Sequence, residues 1–413
     1  MNFKLWLINE ELETLDTEMS VPDEVKAIVR IMNAHGKTCY VVGGAVRDHL
    51  FNLFHGLNKD IHDYDLATNA LPEETRKILH GKKIGNLTLE IFNKGLAEGV
   101  LSIIVKDEND HKVHEFEIAT FRKEVYSGNS RKPDNTEFGA SPEEDTKRRD
   151  LSYNALFYDT VNKTVKDYNS GKGIKDIQNK QTVVVGDPHH RFGEDQLRVL
   201  RFVRFFNRYD NNDILNHIDP KTKEAITHYK DLENVSKERI IKEFISGLEQ
   251  SRSPANFIRS LNSLDLMHNI LPKKLITNNL DPIDNMNGLP AMLAFLLHEN
   301  QPDKNLQNTL INNKFEYKTI TPTFIILKTF NMLKNPENHN YKIHDVIKDI
   351  HKVDPNHLLS FMQHFGLDQK AQKLYQYTPK YSGADVVNLG LRGSDISKKL
   401  DQMEKDNFFG NTK

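Results

Sequence analysis

The sequence predicts an α+β protein in which a mixed-sheet head is followed by helices alone. Three observations lead there. Strand-like apolar runs occur at Tyr40–Val42, Leu87–Phe92, Val100–Val105 and Val113–Phe121 and stop with Val183–Val185. From Pro188 onward, apolar residues recur at helical spacing. The 413 residues are enough for two or more domains. The expected division is a head over residues 1–180, a helical neck over 181–270 and a helical body and tail over 271–413.

Composition narrows the class. With 38% hydrophobic residues and a mean hydropathy of −0.61, the chain reads as soluble, and no run of eighteen apolar residues is present. Met1–Glu10 is too short in its apolar part, and too acidic after it, for a secretory signal, so a cytoplasmic location is expected. The single cysteine, Cys39, excludes an intramolecular disulfide framework and a cysteine zinc site. A net charge of −2 does not point to a nucleic-acid binder, but arginines cluster between Arg191 and Arg208, so any RNA contact is local.

In chain order, Val25, Ile28, Val29, Ile31 and Met32 mark a helix over Val21–His35, with Pro22 suited to its first turn. Tyr40-Val-Val-Gly-Gly-Ala-Val-Arg-Asp48 then reads as a buried strand, a Gly-Gly turn and a helix start. Gly43 and Gly44 lack a Cβ, so backbone N–H groups can approach an anion there, and the helix points its positive end the same way. In Asp63-Tyr-Asp65-Leu-Ala-Thr68, strand alternation puts Asp63 and Asp65 on one face. Two such carboxylates repel unless a divalent cation lies between them, and Mg²⁺ suits two carboxylates plus phosphate oxygens. The pattern reads as a phosphate cradle beside a metal site, the alternatives being a plain turn at the glycines and a solvated loop at the aspartates.

Ala70–Leu79 reads as a short helix opened by Pro72 and acids, and the next three apolar runs complete the sheet. Arg122–Asp145 is polar, with Gly128, Pro133, Gly139 and Pro142, and is expected to be a mobile loop. Lys147-Arg-Arg-Asp150 reads as a basic run before a helix, with Asp150 as N-cap and Asn154 able to bond ribose or backbone. Asp167–Asp176 is a glycine-containing connector, and Val183–Pro188 a short strand closed by a turn. Gly193–Arg208 is predicted as one amphipathic helix with Arg198, Arg201, Arg204 and Arg208 on one side. No acidic i+4 partner lies between them, so they repel and an anionic ligand would relieve the cost. Val235–Leu248 is a helix capped by Ser236, and Met292–Glu299 a core helix.

GGAVRD followed by DYDLATNALPEE resembles the head of the class II tRNA nucleotidyltransferase and bacterial poly(A) polymerase family, within the nucleotidyltransferase superfamily. The resemblance covers roughly residues 38–250, though the segment His49–His62 is longer than the family's spacer, with the extra residues around Phe54–Asn58. It implies a polymerase-β-like head in which Asp63 and Asp65 are catalytic and hold Mg²⁺, and Gly43, Gly44 and Arg47 hold the triphosphate. Glu117 has the position of a third catalytic carboxylate, or is an outward-facing strand glutamate like Glu115. By position Arg149 contacts the nucleotide, unless it belongs to a solvated cap. The resemblance also implies that the loop rearranges the active site between additions, and that Asp195 and Arg198 read the base. An acceptor beside donors matches the Watson–Crick edge of cytosine or adenine and rejects guanine and uracil. Arg201 and Arg204 then face the nucleotide or its phosphates, the helix at Val235 supports the base-reading helix from behind, and Gly390–Leu400 resembles the tail that contacts the tRNA elbow.

The implied reaction is template-independent addition of C, C and A to the 3′ end of tRNA from CTP and ATP, with release of pyrophosphate. The alternatives are poly(A) synthesis, CC- or A-only addition, and an inactive tRNA- or nucleotide-binding regulator. The implied partners are the tRNA acceptor end and elbow with CTP and ATP; no membrane and no stable protein partner is implied.

Overall fold

The structure is a computed structural model that describes residues 12–125, 135–209, 213–271, 279–337 and 341–410. The chain divides into two compact units. One holds the chain up to Phe202 together with residues 216–234, and the other holds residues 203–215 and the chain from Val235 onward.

The strands all belong to the first unit. They are β1 (Glu13–Asp16), β2 (Cys39–Val42), β3 (Asp65–Thr68), β4 (Lys83–Ile84), β5 (Leu87–Gly95), β6 (Val100–Lys106), β7 (Lys112–Thr120), β8 (Arg122–Val125), β9 (Asn135–Phe138), β10 (Leu156–Asp159) and β11 (Thr164–Asp167). Nine form one mixed sheet in the order β1-β11-β10-β2-β3-β7-β6-β5-β4, and β8 pairs with β9 alone. Only β3 and β7 run parallel; the other neighbours are antiparallel. The four residues of β2 are all buried, as expected of a strand in the middle of a covered sheet. Around it Tyr40, Val42, Ala67, Phe121 and Phe157 form a core cluster, with the Phe157 ring edge-on to Tyr40 and to Phe121.

Helix α1 (Asp23–Ala34) packs against β2 through Val25, Ile28, Val29 and Met32, the positions its apolar spacing marks. Each buried side chain contributes roughly 1.5–3 kcal/mol before chain entropy is counted. Helix α2 (Gly44–His55) closes on Gly56 in the left-handed region, so of the extra residues Phe54 and His55 lengthen the helix and residues 56–58 the loop after it. Asn52 pins the following segment by bonding both the N–H and the carbonyl of Lys59. Next come α3 (Pro72–Leu79), α4 (Pro142–Lys147), α5 (Lys172–Gln178), α6 (Pro188–Glu194) and α7 (Leu197–Tyr209).

Three local expectations are corrected. The ends of the Arg122–Asp145 segment are regular structure, a β8–β9 ladder and α4 with a Ser141–Glu144 capping box; Gly128 and Pro133 lie outside the described residues. No helix begins at Asp150: the chain passes through a 3₁₀ turn, Ser152–Asn154, into β10. Val183–Val185 forms only an isolated bridge between Val184 and Leu151.

After α8 (Ile214–His217) and α9 (Pro220–His228), the described remainder is helical: α10 (Lys237–Gln250), α11 (Pro254–Ser263), α12 (Gly288–Leu297), α13 (Lys304–Asn312), α14 (Tyr317–Lys334), α15 (Ile343–Ile350), α16 (Pro355–His364), α17 (Asp368–Tyr375), α18 (Gly383–Val387) and α19 (Ser394–Phe409). Apolar nearly all round, α12 lies against α14 and α16 at the centre of the second unit. His298, just after α12, is half-buried among the rings of Phe295, Phe330, Phe361 and Phe365 and bonds the Phe295 carbonyl, a packing role. In α19 the buried Glu404 accepts hydrogen bonds from the Tyr377 hydroxyl and the Tyr381 N–H. Among the described residues no helix is long and apolar enough to cross a membrane.

Candidate active site

Strand register assembles the site. The β2–β3 ladder ends with Val42 opposite Asp65, so the chain leaves β2 at Gly43 directly beside that carboxylate. A Cβ on Gly43 would lie 3.9 Å from Asp65 Oδ2, and its φ of +70° with ψ of −129° is a backbone conformation that favours glycine. Gly44 then begins α2. The parallel β3–β7 pairing of Leu66 with Ile118 sets Asp65 level with Glu117. Asp63 lies just ahead of β3 rather than within it, yet the alternation holds, since Tyr64 between them is buried while Asp63 is exposed.

Burial, and then the charges of Asp63 and Glu117, push the Asp65 carboxyl up to about 7, with Arg149 and Lys94 opposing. Clustered hard oxygens of like charge suit Mg²⁺, so the Asp63–Asp65 pair fits that ion. Glu117 is itself paired, its Oε1 lying 2.6 Å from Lys94 Nζ. Among the described residues no three Asp, Glu, His or Cys side chains converge as they stand to hold one ion.

Beside the carboxylates is an arginine network. Arg47 is buried; it donates from Nε to Asp48 and from Nη1 to Asn154 Oδ1 at 2.7 Å, and its Nη2 borders Gly44. Asn154 also donates to Asp150 Oδ1 and accepts Arg149 Nη1 on its carbonyl. Arg149 lies over the Phe157 ring at 5.0 Å and donates twice to Asp145 Oδ2, while Arg148 takes Asp145 Oδ1. Burial alone would raise the Asp145 carboxyl, but Arg149 and Arg148 pull it below the usual range. Asp150 is also held low, burial being outweighed by Arg201, whose Nε and Nη2 both lie 2.7 Å from Oδ2, and by Asn154 and Arg198.

The predicted continuous helix is broken. Asp195 ends α6 with φ −148° and ψ 101°, and α7 starts at Leu197, whose N–H bonds Asp195 Oδ1. Buried Gln196 fixes the break by accepting the Asn234 N–H. Arg198 donates from Nη1 to Glu194 and the Arg191 carbonyl and from Nη2 to the Arg148 carbonyl, which leaves Nε–H and one Nη2 hydrogen unpartnered among the described residues.

The expected repulsion along the arginine face is overturned as well. Arg198 has Glu194 and Arg201 has Asp150, while Arg204, in the second unit, has Glu243 at 2.6 Å and Gln250. Arg208 bonds Gln250 too. The site thus gathers Gly43, Gly44, Arg47, Asp63, Asp65, Glu117 and Arg149 in the first unit, where Arg198 and Arg201 join Arg149 through Arg148 and Asp150. Arg204 is engaged separately. The sequence reading missed Asp145, which the i, i+4 spacing to Arg149 could have shown, and Lys94, whose role depends on a strand irregularity that leaves no sequence signal.

Residues 39–183 match the model of the poly A polymerase head domain, and residues 217–274 match that of a probable RNA and SrmB-binding site of polymerase A. The chain is similar to curated relatives that include the CCA-adding enzyme of Enterococcus faecalis, 36% identical over 248 residues (58% of this chain, 54% of that one), and that of Bacillus subtilis, 35% identical over 235 residues (57% and 52%). The chain thus spans about half the length of the curated relatives it matches. In fold it resembles the CCA-adding enzyme of Bacillus stearothermophilus in complex with CTP, with a TM-score of 0.67 at 22% identity over 95% of this chain and 94% of that one. It also resembles the Thermotoga maritima CCA-adding enzyme complexed with tRNA, with a TM-score of 0.61 at 19% identity over 97% and 96%. A mixed-sheet head followed by helices is therefore the fold that this chain shares with them.

Proposed function

We propose that this chain is a CCA tRNA nucleotidyltransferase, adding C, C and A to the 3′ end of tRNA from CTP and ATP without a template and releasing pyrophosphate. The observation that carries the reading is the β2–β3–β7 register, which sets a glycine turn and helix start against Asp65 with Glu117 level beside it. Gly43, Gly44 and the start of α2 would cradle the triphosphate, and Arg47 would neutralise it. Asp63 and Asp65 would hold Mg²⁺, which when bound activates the 3′-hydroxyl and stabilises the departing pyrophosphate. Arg149, fixed by Asp145 and Phe157, would orient the nucleotide. The spare donors of Arg198 beside Asp195 are suited to the donor–acceptor edge shared by cytosine and adenine. CCA addition is favoured over the partial and poly(A) alternatives by the curated relatives, which are CCA-adding enzymes.

The test is incubation of the protein and Mg²⁺ with tRNA transcripts ending at the discriminator, at C and at CC, with CTP and ATP supplied singly and together. The expected result is extension of all three that stops after the terminal A. A continuing ladder of A, or extension of only one transcript, would overturn the reading.

A further inference from the structure

Lys94 occupies a position that strand geometry makes specific. In the row Phe92–Ser102–Glu117, which crosses β5, β6 and β7, the outer strands are about 10 Å apart, so only a long side chain from β5 can reach Glu117. The β5–β6 register slips between Asn93 and Gly95, and Lys94 is the extra residue at that irregularity. Its ammonium passes over Ser102, whose small side chain is turned to Glu115, and reaches Glu117 at 2.6 Å and Glu115 at 3.9 Å. Lys94 is the only ion-pair partner of Glu117 among the described residues.

We propose that Lys94 is a positioning residue that holds Glu117 off the Asp63–Asp65 pair, so that binding of a divalent cation competes with the Lys94–Glu117 ion pair. This rests on the reading of Asp63 and Asp65 as the metal-bearing pair. It accounts for why Glu117, although level with Asp65, does not complete a three-carboxylate set.

The experiment measures Mn²⁺ binding to the full chain, without nucleotide or RNA, from the electron paramagnetic resonance signal of free Mn²⁺. Lys94→Met is expected to bind Mn²⁺ about two- to fivefold tighter, the size of an exposed ion pair. Lys94→Arg, which can restore the pair, is expected to return toward wild-type affinity. In a Glu117→Gln background, Lys94→Met is expected to give a clearly smaller gain, because only the direct repulsion between the lysine and a cation at Asp65 is then removed. Unchanged affinity in Lys94→Met, or the same gain with Glu117→Gln present, would overturn the proposal and leave the metal site standing. Wild-type Mn²⁺ binding by Asp65→Asn would overturn the metal site and the proposal together.

Discussion

Asp65 shows most directly what this site costs the folded protein. The unfolded chain releases the Asp65 proton near 3.8 and the folded chain near 7, so stability falls as pH rises between these values and the loss is complete above them. Asp65→Asn should therefore stabilise the metal-free protein at pH 8 by about 1–3 kcal/mol, have no effect near pH 4, and abolish nucleotide transfer. Thermal melts in EDTA at the two pH values check the first two outcomes. Asp145 and Asp150 have the opposite sign. Held below the usual 3.8, they stabilise fully above that value, and their contribution is lost as pH falls below about 4 and the unfolded chain takes up protons first. Asp150→Asn leaves Arg201 without its carboxylate and should cost about 3 kcal/mol in urea melts at pH 7, a cost that shrinks in acid. Gly43→Ala has room for its methyl group but not the backbone freedom, so it should cost about 1–3 kcal/mol and slow transfer more than a change at exposed Gly36.

At the scale of elements, what the sequence revealed depended on whether the deciding partner was local. The α1 stripe, the Gly-Gly turn and the Asp-x-Asp alternation are set within a few residues, and each lies where its spacing indicates. The break between α6 and α7 was not legible, since helical periodicity runs through Asp195 and Gln196 and only the distant Asn234 N–H identifies Gln196 as buried. The partners of Arg201 and Arg204 were hidden for the same reason: Asp150 lies 51 residues from Arg201, and Glu243 lies 39 from Arg204. Helix crossings follow this rule too. Gly247 of α10 lets the Phe257 ring of α11 come so close that a Cβ would be 2.0 Å from it. Gly247→Ala should destabilise the protein by about 1–3 kcal/mol despite its better helix propensity, which a urea melt would show as a lower midpoint.

Over the whole molecule, the sequence match to the curated relatives covers about half of each chain, whereas the fold match extends over nearly all of it. The head must keep particular residues at particular positions, and its motifs are correspondingly readable. Helices beyond it need only an apolar face, and many sequences supply one, so the likeness there is one of fold more than of residues.

The pairing of the α7 arginines with groups of the protein itself has a consequence for encounter. Arg198, Arg201 and Arg204 each carry a carboxylate within bonding distance, and the chain as a whole is slightly acidic at −2. Such a surface projects little positive potential into solution, and distant phosphates are not drawn toward it. RNA should therefore arrive by unassisted diffusion, with an association rate that changes little between low and physiological ionic strength, and discrimination should be expressed in how long the complex persists.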